Sequence, residues 1–140
     1  MAIVYPKTIY LVSACLVGLR TRHDGCANDN AACLAALSGS YWVPVCPEQL
    51  GGLSTPRVAA DLAGGNGHDV LAGKARVVTR QGDDVTKAFV TGAQQVLKIA
   101  QMLAVSGVFF KARSPSCGVS TNIGVTAALL EKNGFSVREF

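Results

Sequence analysis

Two of the five cysteines end short apolar runs, and a third follows one across a tight turn. Cys15 closes Thr8-Ile9-Tyr10-Leu11-Val12-Ser13-Ala14. Cys46 closes Trp42-Val43-Pro44-Val45. Cys117 follows Gly107-Val108-Phe109-Phe110-Lys111 through Ala112-Arg113-Ser114-Pro115-Ser116. Thiolates are soft ligands that suit zinc or iron–sulfur clusters. Structural zinc recruits four ligands, often from Cys-x-x-Cys pairs, and a fully ligated cubane cluster also takes four cysteines. This chain has no Cys-x-x-Cys pair. Three isolated thiols therefore suggest a metal site with one open position, able to act as a Lewis acid or to bind a substrate atom. The ligand count does not choose between zinc and a cluster. Cys26 and Cys33 fall in a loop and on a helix, and read as ordinary packing residues.

Groups fit for proton transfer stand beside two of these thiols. Glu48 lies two residues beyond Cys46, and an apolar pocket would raise its carboxyl towards a useful acid–base range. Ser114 and Ser116 precede Cys117, where their hydroxyls would meet substrate or hold the turn. Gly51, Gly52 and Gly118 follow the thiols and let backbone approach a bulky group, or serve the turns alone. Arg20, Arg22, Arg57, Lys111 and Arg113 border the same predicted edge, where a substrate phosphate would find a partner. His23 and Asp24 stand near Cys15, and His68 lies in a Gly-Asn-Gly-His-Asp stretch. A lone loop histidine more often meets only solvent than a metal.

The elements that would carry these residues alternate between strand and helix. Strands are expected at 8–13, 42–45, 75–79 and 107–111, with a last edge strand at 135–140. Helices are expected from Asn28 to Leu37, capped by Asn28 or Asp29, from Val85 to Val105, capped by Asp84, and from Gly124 to Lys132, ending at Asn133-Gly134. Residues 47–73 hold most of the turn formers and read as one long functional loop. The order implies an α/β fold, a Rossmann-like three-layer sandwich whose mostly parallel sheet is flanked by helices, in a single domain over 1–140. Ligands of such sheets bind beyond the carboxyl ends of the strands, where the three thiols would converge.

Hydrophobic residues at 49% against 16% charged, with 15 glycines, describe a compact domain rather than a disordered chain. No apolar stretch approaches the roughly 18 residues of a membrane span, and Met1–Lys7 lacks the pattern of a secretory signal. Five cysteines make an odd set, so a cytoplasmic protein using its thiols for metal or thiol chemistry is expected over a disulfide framework. The net charge of +4 fits an anionic small molecule, but its scattered Lys and Arg residues form no stripe for a long nucleic acid.

Taken in order, Val12-Ser13-Ala14-Cys15-Leu16-Val17-Gly18 with His23-Asp24-Gly25, then Pro44-Val45-Cys46-Pro47-Glu48-Gln49-Leu50-Gly51-Gly52-Leu53 with Thr55-Pro56-Arg57, then Lys111 to Gly118 and Gly124 to Leu130, the chain resembles the thiouracil desulfidases. The resemblance spans nearly the whole length, with three cysteine motifs in register. It implies a [4Fe–4S] cluster held by Cys15, Cys46 and Cys117 with one open iron, which aerobic purification can strip. It implies catalytic roles for Glu48 and Ser114, and substrate contacts from Ser13, Arg22, Asp24, Gly51, Gly52 and Ser116. The implied reaction removes sulfur from a thiolated uracil base or nucleotide, of the 4-thiouracil or 4-thio-UMP type, and releases hydrosulfide without net redox change. A tRNA thiouridine desulfidase, and a non-catalytic iron–sulfur or zinc module in sulfur trafficking, are the alternatives. Two departures touch the substrate side: His23 replaces a usual tyrosine, and only Val119 to Ile123 separates Gly118 from Gly124, where many members carry a longer segment with a second Tyr-Asp-Gly motif.

Overall fold

The computed structural model describes residues 8–140, so the N-terminal stretch read for a secretory signal lies outside the described residues. Ile9–Ser13, apolar or aromatic up to its last residue, forms β1 in the middle of a four-stranded sheet. Its neighbours are β2 (Tyr41–Val45) on one side and β5 (Gly107–Phe110) on the other, with β6 (Val137–Glu139) at the far edge. All three pairings are parallel, and Val12 aligns with both Pro44 and Phe109. Pro44 is tolerated because β2 is an edge strand.

Alternation along the strands sorts side chains onto two faces. Leu11, Val45, Val108 and Phe110 pack under α4 (Thr86–Leu103) and α5 (Val125–Lys132), against Val96, Ala100, Ala127 and Leu130. Val12 and Phe109 point the other way, onto Cys33 and Leu37 of α1 (Ala31–Leu37). Tyr10 and Phe109 stack on that face with centroids 4.7 Å apart. The result is the α/β sandwich expected, with the sheet between two helical layers. Asn30 caps α1 by accepting the Cys33 N–H, in place of the expected Asn28 or Asp29. Asp84 contributes at the start of α4 by accepting the Thr86 N–H, with Val85 between them as the capping residue.

Residues 47–73 are not a loop. They contain α2 (Pro47–Leu50), β3 (Ala60–Ala63) and α3 (Gly67–Leu71). The strand expected at 75–79 appears as β4 (Arg76–Thr79), paired antiparallel with β3 in a separate ribbon rather than in the main sheet. Val77 of this ribbon and Val70 of α3 pack on Phe89, Ala93 and Val125. The ribbon thus leans on the long helix and stands beside the sheet's carboxyl edge. Among the described residues, no helix is long and apolar enough to cross a membrane.

Candidate active site

Beyond the carboxyl ends of β1, β2 and β5 lies a cavity of about 380 Å³. Cys15 enters it from a 3-10 turn (Ala14–Val17) that directly follows β1. Cys46 enters as the residue that starts α2, and Cys117 from the loop between β5 and α5. The strand-end argument therefore holds for the place of all three, which come from three separate crossings of the sheet.

All five cysteines are free thiols. Cys15 and Cys117 are buried and Cys46 is partly buried. Burial pushes the Cys15 thiol up, partly opposed by Lys111, and pushes the fully enclosed Cys117 thiol up to about 12. A charge on Cys46 raises both of the others, so the three thiols sense one another through space. Among the described residues, no group of three or more Cys, His, Asp or Glu side chains is arranged to hold a single metal ion. A mononuclear ion needs its donors to meet about 2.3 Å from one point. A cubane cluster is several ångströms across and takes its cysteines from spread positions, as a cavity wall provides. Three soft thiol donors along one cavity wall are a donor set that an iron–sulfur cluster fits.

The Cys117 loop is built around hydroxyls. Arg113, with φ of 61°, turns the chain out of β5. Ser114 Oγ accepts the N–H groups of Ser116 and Cys117, at 3.2 and 3.1 Å. Gly124 lets α5 start against this loop, because a Cβ there would lie 2.4 Å from the Ser116 carbonyl carbon. Ser13, 3% exposed, accepts the Lys111 N–H at 2.9 Å and lowers the Cys117 thiol by hydrogen bonding to it. Ser114 Oγ lies 3.0 Å from Ser116 Oγ, which donates to Glu48 Oε2 at 3.4 Å. Since Ser114 already accepts two N–H groups, its own proton is free to point at Ser116. Hydrogens thus run in one direction, from Ser114 through Ser116 to Glu48. Glu48 is anchored on its other oxygen by Arg57 Nε, at 3.2 Å.

Of the residues singled out from sequence, Ser13, Cys15, Arg22, His23, Cys46, Glu48, Arg57, Lys111, Arg113, Ser114, Ser116 and Cys117 all line this cavity. Asp24, Gly51, Gly52, Arg20 and His68 do not. Asp24 is exposed, accepts the Cys26 N–H and pairs with Arg22 at 3.7 Å. Gly51 faces α4 instead of the cavity: a Cβ there would lie 2.0 Å from the Ala88 carbonyl oxygen. The ribbon adds Asp61 and Arg80, which the sequence reading did not place at the site. Arg80 follows β4 directly, so the argument that found the thiols at strand ends would have found it too.

A family model described as 2-thiouracil desulfurase matches residues 10–139. The uncharacterized protein YbbK of Bacillus subtilis (strain 168) is 40% identical over 139 residues, covering 91% of this chain and 92% of that protein. Among solved structures, the [4Fe-4S]-dependent thiouracil desulfidase TudS superposes with a TM-score of 0.79 at 33% identity. That match covers 96% of this chain and 91% of the other.

Proposed function

The chain belongs to the 2-thiouracil desulfurase family, and on that premise we propose that it is an iron–sulfur-dependent desulfidase of thiolated uracil compounds. One water replaces the sulfur of the thiocarbonyl, giving the carbonyl compound and hydrosulfide with no net redox change. The observation that carries this reading is the joint arrival of three thiols and a carboxylate–hydroxyl relay at one cavity wall.

Cys15, Cys46 and Cys117 are the residues that hold the cluster. When bound there, the cluster would supply a soft Lewis acid for the thiocarbonyl sulfur. Glu48 takes the proton of the water that adds to the sulfur-bearing carbon, held in place for this by Arg57 and Ser116. As the carbon–sulfur bond breaks and the carbonyl forms, the proton held by Glu48 passes to the departing sulfur to give hydrosulfide, and the second proton of the water is released to solvent. Ser114, at the head of the hydroxyl chain, orients the ring and keeps the relay aligned. Arg22, Arg57, Arg80, Lys111 and Arg113 outnumber the two lining carboxylates, Glu48 and Asp61, which supports an anionic substrate such as a nucleotide. The protein acts on a small molecule, in the cytoplasm, as a single domain.

Iron and acid-labile sulfide would be measured after anaerobic reconstitution of wild type and of the Cys15→Ala, Cys46→Ala and Cys117→Ala variants. Turnover of 4-thiouracil and 4-thio-UMP would be followed alongside. About four irons per chain, lost in each variant and accompanied by hydrosulfide release, is the expected result. Zinc in place of iron, or full iron loading in any of the three variants, would overturn the assignment.

A further inference from the structure

Arg57 is a nearly buried cation, with a side chain only 7% exposed, and each of its hydrogens has an acceptor. Nε donates to Glu48 Oε1 at 3.2 Å. Nη1 donates to the Ser54 carbonyl at 3.3 Å and to Thr55 Oγ1 at 2.7 Å. Nη2 donates to the Thr21 carbonyl at 2.9 Å and to Cys46 Sγ at 3.9 Å. A guanidinium has five N–H donors in a rigid planar fork, and here all five are used. The fork joins three stretches of chain: the turn after Cys15, the start of α2 and the 54–57 segment.

Two of those partners belong to different halves of the chemistry. Glu48 is the carboxylate at the end of the hydroxyl relay. Cys46 is one of the three thiols assigned to the cluster. A neutral Cys46 thiol donates to the Thr21 carbonyl at 3.7 Å, whereas a ligating thiolate has only acceptor capacity. The hydrogen bond that remains to a ligating sulfur is therefore the one from Arg57.

Resting on the desulfidase reading above, we infer that Arg57 is the positioning residue that couples the cluster ligand Cys46 to the acid–base residue Glu48. Its Nε fixes the carboxylate at the cavity wall. Its Nη2 withdraws electron density from the Cys46 sulfur, as N–H donors to cluster sulfurs do. The reaction itself moves no electrons, so the cluster's reduction potential reports the second contact independently of turnover.

The test compares reconstituted wild type with Arg57→Gln and Arg57→Lys, reading iron content, cluster reduction potential, kcat and KM. Arg57→Gln is expected to load iron as wild type does and to show a lower reduction potential. Its kcat should fall by roughly 10²-fold, the scale of a misplaced catalytic group, with KM little changed. Arg57→Lys keeps the charge but not the fork, so it should recover part of the potential and little of kcat. If Arg57→Gln does not accumulate as folded protein, Arg57→Lys carries the comparison: a potential and kcat both equal to wild type would overturn the coupling. An unchanged potential with full iron, or a loss confined to iron content and melting temperature, would likewise reduce Arg57 to a structural staple. Wild type that binds no iron would remove the desulfidase reading, and the inference with it.

Discussion

Gly51 and Gly92 allow α2 and α4 to touch backbone to backbone. A Cβ on Gly51 would lie 2.0 Å from the Ala88 carbonyl oxygen, and one on Gly92 would lie 2.0 Å from that of Pro47. The helix that Cys46 caps and that carries Glu48 is thereby seated on the longest helix of the fold.

Gly51→Ala or Gly92→Ala would force those helices apart, with overpacking costs of about 1–3 kcal/mol or more. The apo protein's melting temperature should drop by roughly 3–10 °C, and Glu48 should move with α2. A melt indistinguishable from wild type, with kcat intact, would show that the seam has slack.

Removing the carboxylate isolates proton transfer from metal binding. Glu48→Gln is expected to keep full iron content while kcat falls by about 10²–10⁴-fold, the span of general acid–base catalysis, whereas Ser114→Ala, which also frees the Cys117 N–H, should lower iron content as well as kcat. Ser116→Ala interrupts the relay between them and should also slow turnover. Single-turnover assays on cluster-matched samples would read this. Turnover equal to wild type in Glu48→Gln would move the acid–base role elsewhere on the wall.

The buried Cys117 thiol sets an alkaline limit on the apo protein. Below about pH 9 the thiol is protonated in both folded and unfolded chains and contributes no slope. Between 9.0, its ordinary value, and the value of about 12 in the fold, only the unfolded chain releases the proton. Stability should therefore fall as pH rises through that window. Urea titrations of the apo protein at about pH 8 and pH 11 would measure the decline, which Cys117→Ala should reduce.

Glu139 gives the opposite slope in acid. Its carboxylate accepts from Ser120 Oγ at 2.6 Å and from the N–H groups of Val119 and Ser120, tying β6 to the short segment behind Cys117. The Ser120 hydroxyl, then the Val119 amide, hold its carboxyl below the ordinary value of 4.5. A depressed folded value means a contribution present above that pH and lost as pH falls through and below it. Glu139→Gln should flatten the acid side of the melting profile and speed amide exchange at Val119 and Ser120. Unaltered exchange there would show that the segment holds its shape without the carboxylate.

The sequence disclosed the parallel sheet and its thiol-bearing edge because both rest on strong local signals. β1 and β5 are unbroken apolar runs, and a strand end points to a ligand edge whatever surrounds it. The stretch from Pro47 to Gly73 stayed opaque for a physical reason. Elements of four or five residues, such as α2, β3 and α3, are too short to show a period, and their Gly and Pro content looks like loop. Their stability comes from partners elsewhere in the chain, α4 for α2, α5 for α3 and β4 for β3, which no local window contains. Gly51, expected at the substrate from the motif alone, also serves a helix contact that the motif does not encode. Arg57 was visible as a charge near the site, but its five-fold engagement depends on carbonyls from Thr21 and Ser54 that no motif encodes.

The spread of the three thiols along the chain also fixes when the site can come into being. Cys15 emerges from the ribosome with the first strand, whereas Cys117 follows only after β5. Synthesis runs at roughly 5–20 residues per second, so several seconds separate the appearance of Cys15 from that of Cys117. On the desulfidase reading, a cluster bridging these thiols would be installed only after Cys117 has been added, not as the first strand appears.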